Sequence, residues 1–192
     1  VTVRDAVDLV RLRSWRAGLP GLAAVVGMGP AGAWTRLRPA DFGSAWTYVA
    51  AGPGLRTAPG QPTRSQALAG RVRESPGLAP VVLVGGPGVA DSPGPAAYNR
   101  LFAARGDRLQ YLAVPAACWE DALALARAFD VRWLGVTRPF KRDAFRACAW
   151  RDPWAARAGV ANTVRLAGGR PEACWNTDVT GFLGALADTG RV

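Results

Sequence analysis

The sequence predicts an α/β fold laid out as two successive blocks. Short, unbroken apolar runs, LAAVV at 22–26, VVLVG at 81–85 and LQYLAV at 109–114, have strand length and the character of strands buried on both faces of a sheet. Segments with apolar residues at three- and four-residue spacing, such as CWEDALALARAF at 118–129, alternate with them. The Pro/Gly stretch SPGLAP at 75–80 interrupts the alternation, which restarts directly after it. Alternation of this kind calls for right-handed crossovers.

In order along the chain, residues 5–17 place Ala6, Leu9, Val10 and Leu12 at helical spacing, and Gly18 and Pro20 end that helix. LAAVV then predicts a buried strand, followed by a Gly-containing turn and a short helix through Leu37. SAWTYVAA at 44–51 predicts a second strand, residues 52–63 a Gly/Pro-rich loop and residues 64–73 a helix. In the second block a strand at 81–85 precedes a helix near 95–105 and a strand at 109–114. Next come a helix at 118–129, a strand at 131–136 and a helix from Pro139 to about Trp150. Two short strands near 160–166 and 171–175 lead into a last helix at about 178–189.

The bulk properties set bounds on function. With 192 residues, 49% of them hydrophobic, the chain can bury the core of one or two domains. No apolar run approaches the roughly 20 residues of a membrane helix, so no membrane partner is expected. The opening at Val1, directly in a patterned segment with no signal-peptide core, predicts a piece of a longer protein. Cys118, Cys148 and Cys174 are far apart and there is no histidine, so neither a disulfide framework nor a metal site is expected. Thiols in a reducing cytoplasm fit this pattern. The formal charge of +10 comes from dispersed arginines with no block of like charge, which argues against a nucleic-acid partner and suits a small carboxylate substrate.

Open α/β sheets bind ligands in loops at their strand ends. Four such loops carry short polar groups: GPGVADSPGPAAYN (86–99), GVTRPFK (135–141), GVANTV (159–164) and NTDVTGF (176–182). Lys141 and Asp178 are the acid/base candidates, because a lysine facing an aspartate can hold or pass a proton beside a reacting oxygen. Ser92, Thr137 and Asn162 are compact hydrogen-bonding groups suited to a polyhydroxylated ring. Singly, each has an ordinary explanation: a solvated lysine, a helix N-cap, a satisfied turn.

As a set and in this order, the segments resemble the N-terminal substrate-binding domain of shikimate dehydrogenases. The resemblance runs through Gly86, Gly88, Ser92, Pro95, Tyr98 and Asn99, then Val136-Thr137-Arg138-Pro139-Phe140-Lys141, then Gly159 to Val164, then Asn176-Thr177-Asp178 with Gly181. It implies an open α/β sheet substrate-binding domain over residues 80–192. It also implies that Ser92 bonds a substrate carboxylate and that Thr137, Asn162 and Asp178 hold ring hydroxyls. Lys141, paired with Asp178, would pass the proton as hydride moves between NADP and shikimate or 3-dehydroshikimate. The domain that binds NADP is expected to be missing from this chain, because no Gly-rich nucleotide loop follows a strand and opens a helix. Gly94, Gly135 and Phe140 depart from the family pattern. Gly94 removes a hydroxyl that would meet the carboxylate, which motivates a preference for quinate; a non-catalytic ligand-binding paralogue is the other alternative.

In the first block, GMGPAGAWTR, FGSAWTYVA and TAPGQ contain Arg36, which could clamp a carboxylate, and Thr57 and Gln61 on a loop that could cover a ligand. In order these resemble the last strands of type I 3-dehydroquinate dehydratases, which are (β/α)8 barrels. The resemblance implies that residues 1–75 are the last βα units of such a barrel and that Arg36, Thr57 and Gln61 contact its substrate. No lysine precedes Lys141, so the imine-forming nucleophile of that chemistry is not in this chain. The combined expectation is a fragment of a bifunctional enzyme of chorismate and aromatic amino acid biosynthesis, inactive alone.

Overall fold

The protein is described here by a computed structural model covering residues 1–190. Residues 79–175 form a six-stranded mixed sheet. Its strands are β1 (Ala79–Gly85), β2 (Leu109–Pro115), β3 (Trp133–Val136), β4 (Trp150–Arg151), β5 (Thr163–Ala167) and β6 (Arg170–Trp175), in the order β2-β1-β3-β5-β6-β4. β1 pairs in parallel with β2 and β3, so both connections carry a helix. β3–β5 and β5–β6 are antiparallel, and the β5–β6 hairpin turns through Gly168 and Gly169, both at positive φ. The apolar runs behave as their continuity predicts: Val82, Val84, Val114, Leu134 and Val164 are fully buried.

The helices are α1 (Ala6–Ala17), α2 (Ala33–Leu37), α3 (Arg64–Ala69), α4 (Gly94–Arg105), α5 (Trp119–Ala128), α6 (Lys141–Ala147), α7 (Pro153–Ala158) and α8 (Thr177–Asp188). Local chemistry sets their ends. The Asp5 side chain accepts from Asp8 N at 3.1 Å to start α1. Thr63 and Gln66 form a capping box on α3, and Gly70 ends that helix before the expected residue 73. Asp152, followed by Pro153, starts α7, and Gly159 in the left-handed region ends it. This D-P…G signature stands plainly in the sequence, yet no helix was expected there; α6 stops at Ala147, short of the expected Trp150, because Cys148 turns extended.

The first block departs from expectation. LAAVV and SAWTYVAA form no regular strands, and the barrel arrangement expected for residues 1–75 is not shown among the described residues. Three isolated parallel bridges remain: Thr2 with Met28, Ala23 with Ser44 and Ala50 with Thr63. A parallel strand is stabilised by neighbours along its length, and here each segment meets a neighbour at one pair only. Leu22, at the head of the apolar run, is 88% exposed.

Instead, the first block closes over α5 and the outer edge of the sheet. Leu9 and Leu12 of α1 join Trp119, Leu125 and Phe129 in one core. The Trp34 ring lies 4.7 Å from that of Phe129. Fully buried Gln110 on β2 accepts from Arg38 at 2.9 Å and donates to Gly70 O at 2.6 Å. Arg71 bonds Asp107 O and Leu109 O at 2.7 and 2.9 Å. The expected linker at 75–80 is thus a 3-10 turn at 75–77, with Ser75 buried, running straight into β1.

Candidate functional site

A cleft of about 750 Å³ opens at the C-terminal ends of β1 and β3. Its lining includes Ser92, Thr137, Lys141, Asn162 and Asp178. All five residues expected to serve the second block's chemistry therefore meet in one place, although 86 positions separate the first from the last.

The backbone explains the convergence. Thr137 follows β3, and its N–H donates to Val84 O at 2.9 Å, holding the loop against β1. Phe140 N donates to Thr137 O at 3.0 Å, and buried Phe140 plugs the core under α6 and leaves Lys141 at the helix start. Phe140 is thus a packing residue rather than a cleft residue. Asn162 precedes β5: its N–H donates to Trp175 O, and its own O accepts from Val136 N at 2.7 Å, stapling β3 to β6. Buried Asn176 caps α8 through Val179 N, which puts Asp178 in that helix's first turn. A carboxylate there is favoured by the helix dipole.

The side chains form one network. Lys141 Nζ donates to Asp178 Oδ2 at 2.6 Å. Asn162 Nδ2 donates to Asp178 Oδ1 at 2.6 Å and to Thr177 Oγ1 at 2.9 Å. Asn162 Oδ1 accepts from Thr177 N at 2.9 Å and from Thr163 Oγ1 at 3.2 Å. Asp178 is therefore held on both oxygens, and the lysine keeps donors free towards the cleft. Across from it, Ser92 Oγ accepts from Gly94 N at 3.1 Å, which orients the hydroxyl and leaves its proton free to donate. The arrangement can bind a small acid rich in hydroxyls and exchange a proton with one of its oxygens.

Tyr98, named only as part of the resemblance, and Tyr111, which the sequence reading missed, also line the cleft. Their rings stack with centroids 4.6 Å apart. Burial, reinforced by Tyr98, pushes the Tyr111 phenol above its usual range, so it remains a neutral O–H donor. No local pattern marks Tyr111, which reads as one more β-forming residue of a strand.

The first block's candidates do not gather in the same way. Arg36 is buried, its guanidinium donates to Tyr48 O at 3.1 Å, and its Nε has no partner. Thr57 and Gln61 bond each other: Gln61 Oε1 accepts from Thr57 N at 2.8 Å and from Thr57 Oγ1 at 3.2 Å. Gln61 lines a second cleft, between the blocks, that Arg36 does not line. Among the described residues, no cluster of three or more Cys, Asp or Glu could hold a metal, and no helix is long and apolar enough to cross a membrane.

With this geometry in hand, comparison with known proteins is specific. Residues 83–164 match the family model described as the shikimate dehydrogenase substrate binding domain. The shikimate dehydrogenase (NADP(+)) of Aeropyrum pernix is 38% identical over 101 residues, 53% of this chain and 37% of that protein. Its namesake from Moorella thermoacetica is 38% identical over 125 residues, 62% of this chain and 40% of that protein. Among solved structures, shikimate dehydrogenase from Aquifex aeolicus aligns with a TM-score of 0.53 and 28% identity over 58% of this chain and 42% of that one. Shikimate 5-dehydrogenase from Thermus thermophilus, in complex with NADP(H) and shikimate, aligns at 0.51 with 32% identity over 59% and 43%. The α/β fold with a mixed sheet is that of these shikimate dehydrogenase structures. The chain spans about two fifths of the length of the relatives it matches.

Proposed function

We propose that residues 80–190 are the substrate-binding half of a shikimate dehydrogenase, holding shikimate or 3-dehydroshikimate in the cleft between Ser92 and Asp178. The observation that carries this reading is the Lys141–Asp178–Asn162 network, built from three remote loops onto one cleft wall. Ser92 donates to the substrate carboxylate, and Thr137, Asn162 and Asp178 hold ring hydroxyls. The Lys141 ammonium gives its proton to the carbonyl oxygen on reduction and takes it back on oxidation, with Asp178 stabilising the charged lysine.

The matched relatives are named for NADP(+). The described residues do not fit a dinucleotide. The glycine-rich turn after β1 leads into a 3-10 turn rather than a helix, and a Cβ at Gly85 would sit 2.5 Å from Thr137 Cγ2. Gly85 thus serves close packing between β1 and the 137 loop, not a phosphate cradle. The cofactor would be held outside these residues, and the share of the reaction that falls to this chain is binding and proton transfer.

The test is calorimetric titration of the 192-residue chain with shikimate. Saturable one-site binding, lost in Lys141→Ala and Asp178→Ala, is expected; equal heats in wild type and both variants refute the assignment. For residues 1–75, the reading as the end of a dehydratase barrel rests on the motif order of residues 27–61. It predicts no dehydration of 3-dehydroquinate by this chain and dehydration by a longer chain with a lysine shortly before Val1, followed by enone absorbance.

A further inference from the structure

We infer that the Tyr111 hydroxyl is a ligand contact of this cleft, donating a hydrogen bond to an oxygen of the bound hydroxylated acid, and that Gly94 and Gly135 keep the space this ring needs. The inference rests on the proposed substrate site and adds a specificity-determining residue to it.

Tyr111 is held in place before any ligand arrives. Its backbone lies on β2, the outer strand of the sheet, and buried Asn99 of α4 takes the role of the missing neighbour strand. Tyr111 N donates to Asn99 Oδ1 at 2.8 Å, and Asn99 Nδ2 donates to Tyr111 O at 2.8 Å. The ring stacks on Tyr98 with planes 16° apart. With backbone and ring both fixed, the hydroxyl has one direction to point.

That direction is into the cleft. A Cβ at Gly135 would collide with the Tyr111 hydroxyl and come 3.2 Å from Leu83 Cδ1. A Cβ at Gly94 would lie 3.9 Å from Tyr111 Cε1 and 3.2 Å from Ser92 Oγ. The ring therefore reaches from the Ser92 side of the cleft to the end of β3. Neither glycine has positive φ, so the backbone does not require glycine at either position. Space does, and at Gly135 the tyrosine occupies it.

The hydroxyl has no hydrogen-bond partner among the described residues, although Tyr111 is only 8% exposed. The oxygen itself is not buried: it opens onto the cleft, where water or a ligand can meet it. An oriented, uncharged donor left free on the wall of a polar cleft is matched by an acceptor on the ligand, and a hydroxylated carboxylate offers several. A carboxyl-terminated ring resting on Ser92 would lie alongside this tyrosine.

The experiment is shikimate titration of wild type, Tyr111→Phe, Gly135→Ala and Lys141→Ala, with thermal denaturation of each. Tyr111→Phe keeps the ring and removes one oxygen that has no protein partner. Its melting temperature is expected to match wild type while its Kd rises about tenfold, the worth of a hydrogen bond to a charged or strongly polar acceptor. Gly135→Ala, which pushes the hydroxyl aside, is expected to weaken binding similarly. If wild type binds and Lys141→Ala does not, but Tyr111→Phe binds as tightly as wild type, the inference is overturned and the substrate site stands. If wild type does not bind shikimate, both fall together.

Discussion

Asn162→Asp is a small change in shape and a large one in charge. In the wild-type network Asn162 Nδ2 donates to Asp178 Oδ1 at 2.6 Å. The substitution puts a carboxylate oxygen where that donor was. Two unit charges about 4 Å apart repel by about 4 kcal/mol at an effective dielectric of about 20, and by about 1 kcal/mol in bulk water. The Asp178 side chain is 57% exposed, and Lys141 offsets part of the repulsion, so a destabilisation of about 1–2 kcal/mol is expected. The sign with pH follows. Each carboxylate of the pair disfavours ionisation of the other, so the folded-state value is raised above the unfolded one of about 3.9. A raised value means the penalty shrinks as pH falls towards and below the unfolded value, where the carboxylates take up protons, and grows as pH rises through the folded value. The assay is the difference in melting temperature between wild type and variant from pH 4 to pH 8, with shikimate Kd measured at both ends. A difference that is smallest at pH 4 and grows to several degrees by pH 8, with shikimate affinity falling in parallel, is the expected result. A pH-independent difference, or none, would refute the view that Asn162 and Asp178 face each other.

Trp34→Ala removes a side chain only 2% exposed, packed on Phe129 across the two blocks, and is expected to cost about 3–5 kcal/mol in a denaturant titration that remains one transition. Burial pushes the Cys148 thiol up to about 12 and raises that of Cys174 as well, so at pH 8 an aromatic disulfide reagent should reach at most Cys118 in the native chain and all three thiols after unfolding. Gly94→Ser restores a hydroxyl on the Ser92 side of the cleft and narrows it, so the ratio of shikimate to quinate affinity should rise by about fivefold or more; an unchanged ratio removes the case for a quinate preference.

Much of the second block was legible because its signals are periodic and local. Unbroken apolar runs placed β1 and β2 within two residues of their observed bounds, and the face of Trp119, Ala122, Leu125 and Ala126 placed α5. The four polar loops stood out because they interrupt that periodicity, and the fold brings them together. The first block was misread where an apolar run alone had to decide. LAAVV has strand composition, but a strand is completed by its neighbours, and only Ala23 finds one, in Ser44. The contacts that join the blocks, Gln110 with Arg38 and Trp34 with Phe129, lie 72 and 95 positions apart and leave no local trace. Tyr111 stayed invisible for the same reason: its meaning lies in two distant glycines.

The most direct test of the shared cleft is shikimate titration of the 15N-labelled chain, followed in the amide spectrum. Shifts of Ser92, Thr137, Lys141, Asn162 and Asp178 that all saturate along one curve with a single Kd are predicted. Shifts confined to one of these loops, or curves with unrelated midpoints, would contradict it.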